Sequence, residues 1–143
     1  MMLRAIKKPF STKTTRLGST RWLEAQLDDL TSKIIRHHEQ ICFNIGCTET
    51  QGLQCGHLLE RRHRAIRWDI TPDGNCHSQC SKHNQEHEGK PELYRESFIK
   101  RFGQAAYDEL EYRSRSKEKI TPIELEAKYL EYKELWNQLR KAA

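Results

Sequence analysis

Two short-spaced pairs of thiol and imidazole side chains carry the clearest chemistry in the chain. Cys42 and Cys47 are separated by four residues, and Cys80 and His83 by two. The pairs lie 33 positions apart, counted from Cys47 to Cys80. Structural zinc is commonly held this way: each pair turns its own segment around the ion, and the ion joins two distant stretches of chain. Gly46 gives the first turn its backbone freedom. Bound zinc would add folding free energy that a polar chain with a small core needs. Cys55 and Cys76 are the competing ligands. Each stands alone beside a residue with a clearer role, and both read as buried thiols.

Between the pairs, Gly56-His57 is followed by Asn75, 18 positions after the histidine, then by Cys80 five further on and Asn84 four beyond that. This order of His, Asn and a final Asn, interleaved with ligand pairs, resembles the HNH nucleases. The resemblance implies a ββα-metal finger, with His57 ending a first strand, Asn75 on the loop or second strand, and Asn84 opening the helix. The segment from Gln54 to Glu88 is more narrowly similar to the NinG/Rap recombination nucleases of lambdoid phages. The similarity runs through Gly56-His57, Arg67-Trp68 and the run Asn75-Cys76-His77-Ser78-Gln79-Cys80 that leads to Asn84. Gly89, Tyr94, the Ile99/Gly103 helix and a terminal helix led by Thr121 extend it to roughly residues 20–140. The chain departs from the pattern in three places. The first cysteine pair has four intervening residues where two are usual, His83 replaces a cysteine, and a basic arm stands where longer members carry a Cys-rich module.

Phosphodiester hydrolysis needs a base for water, charge compensation at the scissile phosphate and stabilisation of the leaving 3′ oxygen. His57 is the expected base, because neutral imidazole accepts a proton near neutral pH. The resemblance implies that Asn75 shapes the loop and orients His57. It also implies that the Asn84 amide oxygen holds a catalytic Mg²⁺ or Mn²⁺ at the helix start, with His57 beside that ion. Many relatives carry Asp immediately before the base, where this chain has Gly56, so a further ligand must come from elsewhere. His87 and Glu88 follow Asn84 by three and four residues, on one helical face, and are the candidates. Their plain reading is exposed polar residues before a helix break.

The chain has 143 residues, of which 36% are hydrophobic and 31% charged, with a net charge of +5 and a pI of about 9. That length allows one compact domain with at most an arm, and the charge points to a polyanionic partner, most often nucleic acid. No apolar run approaches the ~18 residues of a transmembrane helix, and no apolar stretch of signal-peptide length opens the chain. A cytoplasmic protein without membrane association is expected, in the host cell if phage-encoded. Five cysteines in that compartment favour metal ligation over disulfides. Arg4, Lys7, Lys8, Lys13, Arg16 and Arg21 precede the first acid, Glu24. Residues 1–19 therefore read as a flexible basic arm that can lie along phosphates. A solvated tail and a mitochondrial presequence are the other readings. Arg61, Arg62, Arg64 and Arg67, with His63 among them, are the expected DNA-backbone contacts, because they fall inside the chemical region. A third cluster, Arg113, Arg115, Lys117 and Lys119, ranks below it.

Trp22, Leu23, Leu27, Leu30 and Ile34 recur at helical spacing over 20–38, behind Ser19 or Thr20 as a cap. Gly46, Gly52, Gly56, Pro72 and Gly74 punctuate 41–76 into short strands and loops. Helices are then expected from near Ser81, from Glu92 to about Phe102 with Leu93, Phe98, Ile99 and Phe102 on one side, and from Ala105 to Tyr112. Thr121, Pro122 and Glu124 form a capping box for the last helix. Its expected apolar stripe combines Ile123, Ala127 and Leu130 with Leu125, Tyr129, Tyr132, Trp136 and Leu139, as core packing. The fold class is thus α+β, mostly α. With what the resemblance implies added, residues 20–143 are expected to form a single domain built on a zinc-stabilised ββα-metal (HNH) finger, flanked by N-terminal and C-terminal helices, with a helical extension over 91–141.

The favoured reading is a zinc-stabilised, Mg²⁺- or Mn²⁺-dependent HNH endodeoxyribonuclease. The resemblance implies branched DNA, including Holliday junctions, as substrate. Paired cuts at a junction imply a homodimer, with its interface in the Leu/Tyr/Trp-rich helices after residue 91. The alternatives are a nicking or restriction-type HNH enzyme on duplex DNA, and a non-catalytic zinc-finger DNA-binding module in which His57 and Asn84 are dispensable.

Overall fold

A computed structural model describes residues 15–87 and 91–142, with backbone alone at 85–87. Residues 1–14 of the expected arm, the break at Gly89-Lys90, and the candidate ligands Glu88 and the His87 side chain lie outside the described residues.

The chain enters its first helix, α1 (Thr20–His38), through a cap: Ser19 Oγ accepts from the Trp22 N–H at 3.1 Å. Leu23, Leu27, Leu30 and Ile34 are buried on one face of it, as their spacing requires. That face meets the last helix, α5 (Pro122–Ala142), from the far end of the sequence. The capping box forms as expected, with Thr121 Oγ1 accepting from the Glu124 N–H at 3.2 Å and Glu124 Oε2 from the Thr121 N–H at 2.9 Å. Leu125, Tyr129 and Tyr132 are buried, with Trp136 and Leu139 partly so. Ile123 and Leu130 are instead 81% and 46% exposed. α1 offers a single apolar face, so only one of the two stripes on α5 can lie against it.

Between these helices lies a small antiparallel pair, β1 (Gln54–His57) and β2 (Cys76–Gln79). Gln54 is opposite Gln79 and His57 opposite Cys76. α2 (Ser81–His87) follows β2 directly. α3 (Pro91–Phe102) and α4 (Gln104–Ser114) then turn about Gly103, whose φ of 90° a side chain would strain. Phe98 is buried on α3, whereas Leu93 is 45% exposed and leaves the expected apolar side.

The apolar residues form two small cores. One joins α1, α5 and Trp68. The other gathers Phe43, Leu58 and Ile66 from the loops around the strands with Tyr94, Phe98, Tyr107 and Leu110 of α3 and α4. The result is a mostly helical α+β protein with one two-stranded sheet among the described residues. No described helix is long and apolar enough to cross a membrane.

Candidate functional site

Cys42, Cys47, Cys80 and His83 come together as expected, their ligand atoms all within 4.8 Å of one another. His83 Nδ1 lies 3.4 Å from Cys42 Sγ and 3.3 Å from Cys80 Sγ, and Cys47 Sγ lies 4.0 Å from Cys80 Sγ. A tetrahedron with metal bonds of ~2.0–2.3 Å has edges of about 3.5–3.8 Å, so these four residues suit a zinc ion. The local chain explains the convergence. Gly46 takes a φ of 84°, and the Cys47 N–H donates to Asn44 O at 3.0 Å, closing the first turn. The Phe43 N–H donates to Ser78 O at 2.8 Å and ties that turn to β2. Cys80 lies between β2 and α2, and His83 sits in the first turn of α2. Burial pushes the Cys42 thiol up to about 11. Such a thiol keeps its proton at neutral pH unless a cation displaces it.

A cleft of about 830 Å³ lies beside this centre, and both His57 and Asn84 line it. His57 is the last residue of β1. Its Nε2–H donates to the Arg67 carbonyl at 2.9 Å. A carbonyl can only accept, so the hydrogen is on Nε2 and Nδ1 keeps the lone pair. Burial, partly opposed by the hydrogen bond to Arg67, lowers the ring's pKa to about 4. The ring is therefore neutral at pH 7, the state a general base requires.

Asn75, just before β2, is fully buried. Its Oδ1 accepts from the Leu59 N–H at 2.7 Å, and its Nδ2–H donates to Leu59 O at 2.9 Å. The Leu58 N–H donates to the Asn75 carbonyl at 2.9 Å. Asn75 thus fastens the chain as it leaves His57. Asn84, in the first turn of α2, donates its Nδ2–H to Gln54 Oε1 at 2.7 Å, which leaves Oδ1 as its acceptor. Gly56 is constrained from the opposite face. A Cβ there would lie 1.9 Å from Gln79 Oε1, and the Gly56 carbonyl accepts from Tyr94 Oη at 2.9 Å.

The four arginines expected on a phosphate backbone divide into two pairs. Arg67 donates from Nε to Asp28 Oδ1 at 3.0 Å and from Nη2 to Asp28 Oδ2 at 2.6 Å. Arg64 pairs with Glu24. Both are thereby tied to α1. Arg61 and Arg62 line the cleft with side chains 61% and 71% exposed. The Arg62–Glu60 pair lies in solvent, where such contacts contribute about 0–1 kcal/mol and yield readily to another anion, and Arg61 stands 3.6 Å from the Asp28 carboxylate that Arg67 already holds. His63 also lines the cleft. His77 is structural: it is buried, its Nε2–H donates to Gly74 O at 2.9 Å, and its Nδ1 lies 2.7 Å from Glu39 Oε1.

The family model of the bacteriophage lambda NinG protein matches residues 5–142. The chain belongs to the bacteriophage lambda NinG family. No curated protein matches it significantly, and no solved structure does. In this NinG-family chain, spacing alone does not reveal a second grouping around the cleft histidine. Cys55, His57 and Cys76 bring their ligand atoms within 4.8 Å of one another. Cys76 is buried as expected, but Cys55 is half-buried and lines the cleft, so the reading as a buried thiol is corrected for Cys55. The available signal was Cys55-x-His57, two residues that share one face if the segment is a strand. Glu92 and Arg95 of α3 also reach the cleft, with no local pattern to mark them.

Proposed function

We propose that this chain is an HNH-type endonuclease that hydrolyses DNA phosphodiesters, with branched recombination intermediates such as Holliday junctions as its substrate. One observation carries the reading: a neutral histidine, its Nε2–H held by the Arg67 carbonyl, lies with Asn84 in one cleft beside a Cys₃His cluster. His57 Nδ1 would take the proton from the attacking water. Asn75 positions it by holding the chain at Leu59. Arg61 and Arg62 would compensate phosphate charge without reading sequence. The Asn84 Oδ1, with Glu60 and Glu92 in the same cleft, suits Mg²⁺ or Mn²⁺, which often take only one or two protein oxygens alongside phosphate. When bound, such an ion would neutralise charge on the phosphate and the leaving oxygen. The preference for branched DNA, and the host cytoplasm as location, rest on the family resemblance.

The test is cleavage of a four-way junction beside a linear duplex of the same sequence, with Mg²⁺ or Mn²⁺, by wild type and His57→Ala. Paired cuts near the branch point are expected. His57→Ala should lower their rate by about 10²–10⁴-fold at unchanged zinc content. Equal cutting of both substrates overturns the junction preference and favours a duplex nuclease. Tight binding without cutting overturns the enzyme reading and leaves a DNA-binding module. A homodimer belongs to the same proposal, and the exposed Ile123 and Leu130 on α5 support an interface there. Light scattering at assay concentration should give twice the chain mass; a monomer that makes paired cuts would refute it.

A further inference from the structure

Cys55, His57 and Cys76 form a group of soft ligands distinct from the Cys42–His83 centre. The strand register creates it. Cys55 and His57 alternate onto one face of β1, and Cys76 is directly opposite His57 on β2. The Cys76 thiol donates to the Arg67 carbonyl at 3.3 Å, the same oxygen that accepts from His57 Nε2 at 2.9 Å. Two donors thus converge on one acceptor, with the second sulfur close by. Cys55 and His57 line the cleft, so an ion can arrive from solvent.

We propose that this trio binds a thiophilic divalent cation such as Zn²⁺, and that its occupation switches off His57 as a base. On binding, the two thiols release their protons to solvent, and the ion gains two thiolates and one imidazole nitrogen. Neutral imidazole has a single lone pair. An ion on Nδ1 takes it directly, and an ion on Nε2 forces the ring hydrogen onto Nδ1. In either case His57 can no longer accept a proton from water. Mg²⁺ prefers oxygen ligands and does not compete for the trio. The switch rests on the nuclease reading, whereas the binding site does not.

Zn²⁺ titration of wild type and Cys55→Ser against a chromophoric chelator tests the site. Cys55 is half-buried at the cleft, so its replacement spares the cores. Wild type should take up two equivalents per chain, and Cys55→Ser should hold the second at least about tenfold more weakly. Saturation of wild type at one equivalent, or an unchanged second equivalent in Cys55→Ser, overturns the site. Mg²⁺-dependent cleavage is then followed through the same titration, each protein relative to its own rate before the second equivalent. Wild type should lose activity as that equivalent fills, and Cys55→Ser only at correspondingly higher Zn²⁺. Persistent cleavage at full occupancy overturns the switch. A second equivalent in a protein that cuts nothing under any condition overturns the nuclease reading and upholds the site.

Discussion

The Arg67 carbonyl decides which nitrogen of His57 carries the hydrogen, and burial decides that the ring is neutral. The ring's pKa falls from 6.5 to about 4 on folding, so the unfolded chain takes up this proton more readily than the folded one. The neutral ring therefore contributes stability that is whole above about pH 6.5 and is lost as pH falls through about 4. Urea midpoints of zinc-loaded protein should drop between about pH 6.5 and 4, and His57→Gln should flatten that part of the dependence. Cleavage should correspondingly hold its rate below pH 6.5, with its acid limb near the lowered value. Gly56, the residue before His57, is fixed by a close neighbour. Its missing side chain leaves the space that Gln79 Oε1 occupies, and Gln79 is buried with its Nε2–H donated to Asn44 Oδ1 at 2.8 Å. Gly56→Ala should cost about 1–3 kcal/mol in denaturant unfolding, as overpacking does. The same crowding leaves no room for an Asp side chain at position 56.

At the scale of elements, β1, β2 and α2 are too short to stand alone, since a two-stranded hairpin is marginal in water. Two devices hold them. The Cys₃His cluster pins the turn after Cys42 to the start of α2, and Asn75 clamps the exit from β1. Removing bound zinc with a strong chelator should lower the melting temperature and expose Cys42, Cys47 and Cys80 to thiol reagents. Unchanged thiol reactivity would show that the cluster stands without an ion. Asn75→Ala leaves the Leu59 N–H and C=O without their partners, which should cost about 1–3 kcal/mol. It should lower kcat for cleavage more than it raises KM, because the loop, not the phosphate contacts, is disturbed.

At the scale of the whole molecule, Leu58 and Tyr107 of one core line the cleft, and a polar node ties the α1–α5 core to the segment that holds His57. Asp28 of α1 accepts from Arg67 and from Trp68 Nε1, the latter at 2.8 Å, and Tyr132 of α5 donates to the Trp68 carbonyl. Trp68 lies in the α1–α5 core, and Ile66, two residues earlier, lies in the other. The Arg67 residue between them faces α1 with its guanidinium and His57 with its carbonyl. Asp28→Ala should therefore lower stability by about 1.5–3 kcal/mol, the range for hydrogen bonds to a charged group. It should also slow cleavage with little change in DNA affinity. An affinity loss at constant kcat would show instead that Asp28 acts on Arg61 at the cleft wall.

Local rules account for much of this protein before any tertiary contact forms. The caps of α1 and α5, the Gly103 turn and the two closely spaced ligand pairs involve groups within a few residues of one another. Their geometry follows from backbone chemistry, so they are readable from the chain. The order of His57, Asn75 and Asn84 was readable too, since the β1–β2–α2 sequence places each near the cleft or its supporting loop. Other features depend on partners far along the chain. Leu125, Tyr129 and Tyr132 are buried while Ile123 and Leu130 are not, because the single apolar face of α1 chooses between the stripes of α5. Arg67 turns inward because Asp28, 39 residues away, meets its guanidinium. Cys76 reaches His57 through strand register, which no local spacing specifies. Even the neutrality of His57 is a tertiary property, because the water that would solvate its cation is displaced by distant parts of the fold.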